Sequence, residues 1–153
     1  MTYSIEIIAE KGSAEIQEGV ATAARTVLEL EAAGRGSLSI VLTDEDTLRK
    51  ANRQYAGIDR PTDVLSFADG EQLPGEDGIY YGDVLIAVPI AEEQARAGNH
   101  SAFDELVLLT VHGVLHLLGY EHDHPEAKDR MWSHQEAALL TLGIDPGIVK
   151  EQE

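Results

Sequence analysis

Ser101-Ala102-Phe103-Asp104-Glu105-Leu106-Val107-Leu108-Leu109-Thr110-Val111-His112-Gly113-Val114-Leu115-His116-Leu117-Leu118-Gly119 is the stretch around which the other segments arrange themselves. Ser101 with Asp104 three residues on resembles a capping box, and Gly119 supplies a stop. From Leu106 to Leu118 the segment is apolar nearly all round, the pattern of a helix enclosed by protein. At about 20 residues counting its first turn, it is too short and too capped to span a membrane. The pattern predicts a buried central helix on which the remaining elements pack.

Upstream, Tyr3, Ile5 and Ile7 alternate, and Leu38, Ile40 and Leu42 repeat the alternation between Ser and Thr residues, as half-buried strands do. Between them Ser13 can cap a helix with Ile16, Val20, Ala23, Ala24, Val27 and Leu28 on one face, and Gly34 is placed to end it. Asp44, Glu45 and Asp46 suit the positive end of a short helix over 44–55, with Gly57 as its stop. Val64–Phe67 and Tyr80–Val88 are rich in β-formers and flank the turn-rich stretch Asp69–Gly78, which reads as a mobile acidic loop. Pro89 suits the first turn of a helix ending near Gly98. Downstream, Pro125 opens a last helix with Met131, Trp132, Gln135, Ala138, Leu139 and Leu142 on one side, and the final ten residues read as poorly ordered. The order βαβαββααα predicts an α+β fold: one domain over 1–153, a mixed sheet of about four strands with about five helices around it.

With 153 residues the chain can bury roughly 70% of its unfolded surface, so a metal would serve chemistry before folding. There is no Cys, which excludes disulfide scaffolds, Cys zinc fingers, iron–sulfur clusters and thiol nucleophiles, and leaves His and carboxylates as the strong ligands. The N-terminus has no basic region followed by an apolar one, so the expected compartment is the cytoplasm, with no membrane partner. A net charge of −17 argues against broad electrostatic binding of polyanions and leaves room only for local basic patches.

Four of the six His lie between His112 and His124. His112 and His116 are four apart on the central helix, about 40° apart around its axis and one turn along it, so two imidazoles can converge on one ion. Gly119 can reverse the chain and return His122 toward them, leaving one tetrahedral position for water. His124 could replace His122, and Glu121 or Asp123 could ligate or orient an imidazole instead. A bare pair at this spacing is a weak signal. What strengthens it is the apolar helix, in which two ring systems need partners for their nitrogens. Gly113 is costly in mid-helix by ~1 kcal/mol, and close packing beneath a metal or substrate is one reason for it. It also stands where a metalloprotease His-Glu-x-x-His motif needs its general base, which disfavours ordinary zincin proteolysis.

The run His112-Gly113-Val114-Leu115-His116-Leu117-Leu118-Gly119-Tyr120-Glu121-His122 resembles the His-Gly-x-Leu-His-Leu-x-Gly-Tyr-Asp-His signature of the bacterial YbeY endoribonuclease family. Asp59-Arg60-Pro61-Thr62-Asp63-Val64-Leu65-Ser66-Phe67 is similar to a second segment of that family, Gly82-Asp83-Val84 to its Gly-Asp-Ile, and with Asn52 and Tyr55 the likeness spans most of the chain. The resemblance implies a zincin-like central metal-binding helix and a single-strand-specific endoribonuclease acting in rRNA maturation and ribosome quality control. It also implies one zinc ion per chain held by His112, His116 and His122, and RNA with small-subunit ribosomal proteins as partners. Three departures stand out: Glu121 replaces an Asp, Gln135 sits where Glu is common, and Ala56 follows Tyr55 where the family has an Arg proposed to matter for cleavage.

Arg49, Arg53 and Arg60, with Lys50, gather four of the eleven cations within twelve residues and could supply that missing charge to phosphates; a solvated helix face is the other reading. Thr62, Asp63 and Ser66 could cap, bond backbone or face the metal cleft, and Asp83 with Ser66 could stand behind the ligands. Two other functions suit such a site: hydrolysis of peptide or amide bonds, and a non-enzymatic ribosome-assembly role with a structural metal.

Overall fold

The computed structural model describes residues 3–72 and 78–149. Four strands, β1 (Tyr3–Ala9), β2 (Gly36–Thr43), β3 (Val64–Gln72) and β4 (Ile79–Ala87), form one sheet in the order β1-β2-β4-β3. β1 and β4 run parallel to β2, and β3 is the antiparallel edge. Five helices accompany it: α1 (Ala14–Leu30), α2 (Glu45–Ala56), α3 (Val88–Gly98), α4 (Ala102–Leu117) and α5 (Pro125–Thr141). This is the mixed-sheet α+β fold that the element order predicts.

The helix starts follow side-chain chemistry. Ser13 accepts from Ile16 N, Asp44 from Thr47 N and Ser101 from Asp104 N, each satisfying an orphan donor of a first turn. α4 is the axis of the core. Leu106, Leu108, Val111, Val114 and Leu115 are buried, and α4 touches α1, α3, α5, β3 and β4. Gly113 permits that closeness: a Cβ there would lie 2.6 Å from Val84 Cγ1 and 3.2 Å from Ser66 Oγ. The neighbours that demand a glycine here are Val84 and Ser66 of the sheet.

Three boundaries differ from expectation. α1 ends at Leu30 rather than at Gly34, because Ala32 takes a left-handed φ of 52° and Ala33 N returns to Leu28 O. The Tyr3 hydroxyl, on the Leu28 and Ala33 carbonyls, holds that end, and Gly34 instead offers its carbonyl to the Tyr81 hydroxyl. Asp69–Gln72, expected within a loop, continue β3, because pairing of Glu71 with Tyr80 and Gln72 with Ile79 outweighs the turn preference of Asp-Gly; residues 73–77 of that loop lie outside the described residues. Of the last ten residues, Ile144 is buried, Ile148 and Val149 pack on the core and Asp145 caps a 3-10 turn over Pro146–Ile148, while 150–153 lie outside the described residues.

Candidate metal centre

His112 and His116 project from the last turns of α4 toward β3, the edge strand. With His122 they line one wall of a cleft of about 300 Å³; Thr62, Asp63, Val64 and Ser66 form the other. One ligand atom from each ring lies within 4.8 Å of the others, and the ring centroids are 4.7 to 5.3 Å apart. Trp132 of α5 meets His112 and His122 edge-on, closing the apolar side.

The hydrogen bonds fix which nitrogens are available. His116 Nδ1 lies 2.8 Å from the Tyr120 carbonyl, which can only accept, so Nδ1 carries the proton and Nε2 is a bare lone pair. His112 Nδ1 likewise faces Gln135 Oε1 at 2.9 Å. The two Nε2 atoms then confront each other at 3.1 Å. Two bare acceptors at that separation repel, and protonating one is disfavoured: burial, helped by the His116 imidazole, pushes His112 down to about 4, and burial lowers His116 as well. A cation between the rings resolves the conflict, and the negative end of the α4 dipole favours it there. The donor set, three imidazole nitrogens with solvent on the fourth side, fits a borderline divalent ion such as zinc.

Among the described residues lining the cleft, Asp63 is the carboxyl. Burial raises its pKa, against hydrogen bonds from Gln94, Val64 and Thr62 that oppose the rise. Ser66 donates to the Gly113 carbonyl at 3.0 Å and so ties β3 to α4. Asp83 does not stand behind the ligands. Its register partners Ser39 and Phe67 put it on the sheet face opposite Val84, which packs on α4, and its carboxylate takes the Tyr80 hydroxyl. His124 caps α5 through Ala127 N, and Glu121 is 62% exposed at 3.8 Å from His116 Nδ1. Arg49 binds Asp59 at 2.7 Å, Arg53 and Arg60 are exposed, and none of the three lines the cleft. Residue spacing alone does not reveal the Tyr120 carbonyl, since any residue offers one; the buried Gln135 on the apolar side of α5 was a legible signal for a polar partner.

A helix presenting two imidazoles, a turn returning a third and an edge strand across the cleft, on an α+β fold, are compatible with a zincin-like metal site. Comparison with known proteins gives the family. The sequence pattern described as Endoribonuclease YbeY matches residues 4–143, and the chain belongs to that family. It is 43% identical over 132 residues to an Endoribonuclease YbeY of Brevibacillus brevis, covering 75% of this chain and 83% of the relative. With one from Chloroflexus aurantiacus it shares 39% identity over 151 residues, covering 94% and 98%. A Thermotoga maritima protein whose structure was determined in solution superposes with a TM-score of 0.61 at 27% identity, covering 97% of each chain. No helix of the described residues is long and apolar enough to cross a membrane.

Proposed function

We propose that this chain is a zinc-dependent endoribonuclease of the cytoplasm that cuts single-stranded RNA during rRNA maturation and ribosome quality control. His112, His116 and His122 hold one ion per chain. The observation that carries the reading is the pair of facing Nε2 atoms, whose Nδ1 protons are committed to Gln135 and to the Tyr120 carbonyl. Zinc in that place supplies Lewis acidity, acidifying water and stabilising charge on a phosphodiester oxygen.

The chain's own groups do the rest. Gln135 and the Tyr120 carbonyl hold the rings in the ligating tautomer, and Trp132 with Leu108 and Leu109 keeps the wall dry. Asp63, a half-buried carboxyl on the opposite wall, holds or passes a proton. Arg53 and Arg60 offer charge to phosphates outside the cleft, with Arg49 partly neutralised by Asp59. Basic proteins of the small ribosomal subunit suit an acidic partner of net charge −17.

The test incubates the purified protein and His116→Ala with single-stranded RNA, with and without chelator, and measures zinc in each. Cleavage that requires both zinc and His116 supports the reading; equal cleavage by both proteins ends it. Cleavage of an unfolded polypeptide instead of RNA would move the activity to peptide bonds, and zinc without turnover would leave an assembly factor.

A further inference from the structure

Behind the metal cleft, side chains from three distant segments meet: Glu31 at the C-cap of α1, Tyr120 in the turn after α4, and His134 within α5. The Tyr120 hydroxyl donates to Glu31 Oε1 at 2.7 Å, and His134 Nδ1 lies 2.6 Å from Glu31 Oε2, so each carboxylate oxygen has its own partner. The Tyr120 and His134 rings pack with centroids 4.8 Å apart. Glu31 is only 15% exposed. Hydrogen bonds to a carboxylate of this kind are among the stronger ones in proteins.

Tyr120 is therefore two-ended. Its phenol is held by Glu31, and its carbonyl accepts from His116 Nδ1. Backbone hydrogen bonds from Gly119 N to His116 O and from Tyr120 N to Leu115 O close the start of the turn, but beyond Tyr120 the side chains add little anchorage: Glu121 and Asp123 are 62% and 75% exposed. The same turn delivers His122.

We propose that Glu31 is a positioning residue for the metal site, acting through Tyr120: its carboxylate holds the phenol, and the phenol fixes the turn that orients His116 and delivers His122. The inference rests on the reading of the three imidazoles as a metal site.

The test titrates the full-length, zinc-free chain with zinc against a chromogenic chelator, and with cobalt for the absorption bands that report ligand geometry. Glu31→Ala and Tyr120→Phe should bind zinc about tenfold or more weakly and alter the cobalt bands. Glu31→Gln, which keeps an acceptor for the phenol, should stay close to the unsubstituted protein. Tyr3→Phe is the control, because it strips a hydroxyl from the same end of α1, on the Leu28 and Ala33 carbonyls, without touching Tyr120. It should lower Tm and leave zinc affinity alone. Unchanged affinity in Tyr120→Phe and Glu31→Ala overturns the proposal, as does an equal loss in Tyr3→Phe; should Glu31→Ala not fold, Tyr120→Phe decides. An unsubstituted chain that binds no zinc removes the metal reading itself, whereas tight binding unaffected by these changes removes only the role of Glu31.

Discussion

Gly113 and Val84 meet so closely that the α4 backbone rests on the sheet: a methyl at Gly113 would lie 2.6 Å from Val84 Cγ1, a buried atom on the central strand β4. Gly113→Ala gains ~1 kcal/mol of helix propensity but forces an overpacked contact of about 1–3 kcal/mol. The contact should win, because Val84 is enclosed and cannot turn aside. Thermal unfolding should show a lower Tm for Gly113→Ala and partial recovery on adding Val84→Ala; a Tm at or above that of the unsubstituted chain would refute the account.

Gln135 is 1% exposed, and its side-chain oxygen is the acceptor for His112 Nδ1 at 2.9 Å. Gln135→Leu leaves that N–H without a partner and frees the ring to adopt the other tautomer, in which Nε2 carries the proton and cannot ligate. Zinc affinity should fall about 10- to 100-fold. Gln135→Glu should bind zinc more tightly by adding charge behind the ring. Chelator competition measures both, and equal affinities across the series would show that the acceptor does not matter.

The central helix was legible because its apolar run, its Ser101 cap and its Gly119 stop agree with one another, so local and tertiary preferences point the same way. The convergence of His112 and His116 was legible as geometry, since spacing on a helix fixes direction, whereas the choice of His122 over His124 came from the family resemblance. The end of α1 was hidden: Ala32 adopts its left-handed conformation under the hold of Tyr3, a contact made across more than twenty residues of chain. Asp83 was misplaced for a related reason. Motif likeness put it near the site, but strand alternation points it to the other face, and no pattern within Gly82-Asp83-Val84 says which face α4 covers. The Glu31, Tyr120 and His134 cluster joins segments with no shared periodicity, so nothing short of the fold brings it to view.

Acid should weaken the metal-free protein in a defined interval. His112 titrates near 6.5 in an exposed chain and is held down to about 4 in the fold. Between those values the unfolded chain has taken up the proton and the folded one has not, so stability falls as pH drops from about 6.5 toward 4 and is complete above that range. His116, also lowered by burial, acts in the same direction. Tm of the zinc-free chain should decline across this interval, and His112→Gln, which cannot protonate, should decline less steeply. Parallel declines would show that the proton is taken up elsewhere. Because ligands must be unprotonated to bind, proton competition at His112 should weaken zinc binding to the folded chain only as the pH approaches about 4.

Charge outside the cleft should show itself in the salt dependence of RNA binding. Each cation that contacts a phosphate of a single strand contributes about 0.7 to the slope of log affinity against log salt. Arg53 and Arg60 are exposed, and Asn52 Nδ2 steadies the loop carrying Arg60 by donating to its carbonyl at 3.0 Å. Arg53→Ala and Arg60→Ala should each lower the slope by about that amount. Arg49→Ala should lower it less, because Asp59 already holds its guanidinium at 2.7 Å. Ala56→Arg tests the departure from the family directly. It adds a cation at the C-terminal end of α2, where the helix dipole is negative, beside Tyr55, which is 67% exposed. Tm should hardly move, while the salt slope steepens. If Ala56→Arg raises cleavage no more than it raises binding, the added charge acts by holding RNA; a larger gain in turnover than in affinity would place an arginine at this position against the transition state itself. Salt slopes unchanged by Arg53→Ala and Arg60→Ala would reduce the cluster to a solvated helix face.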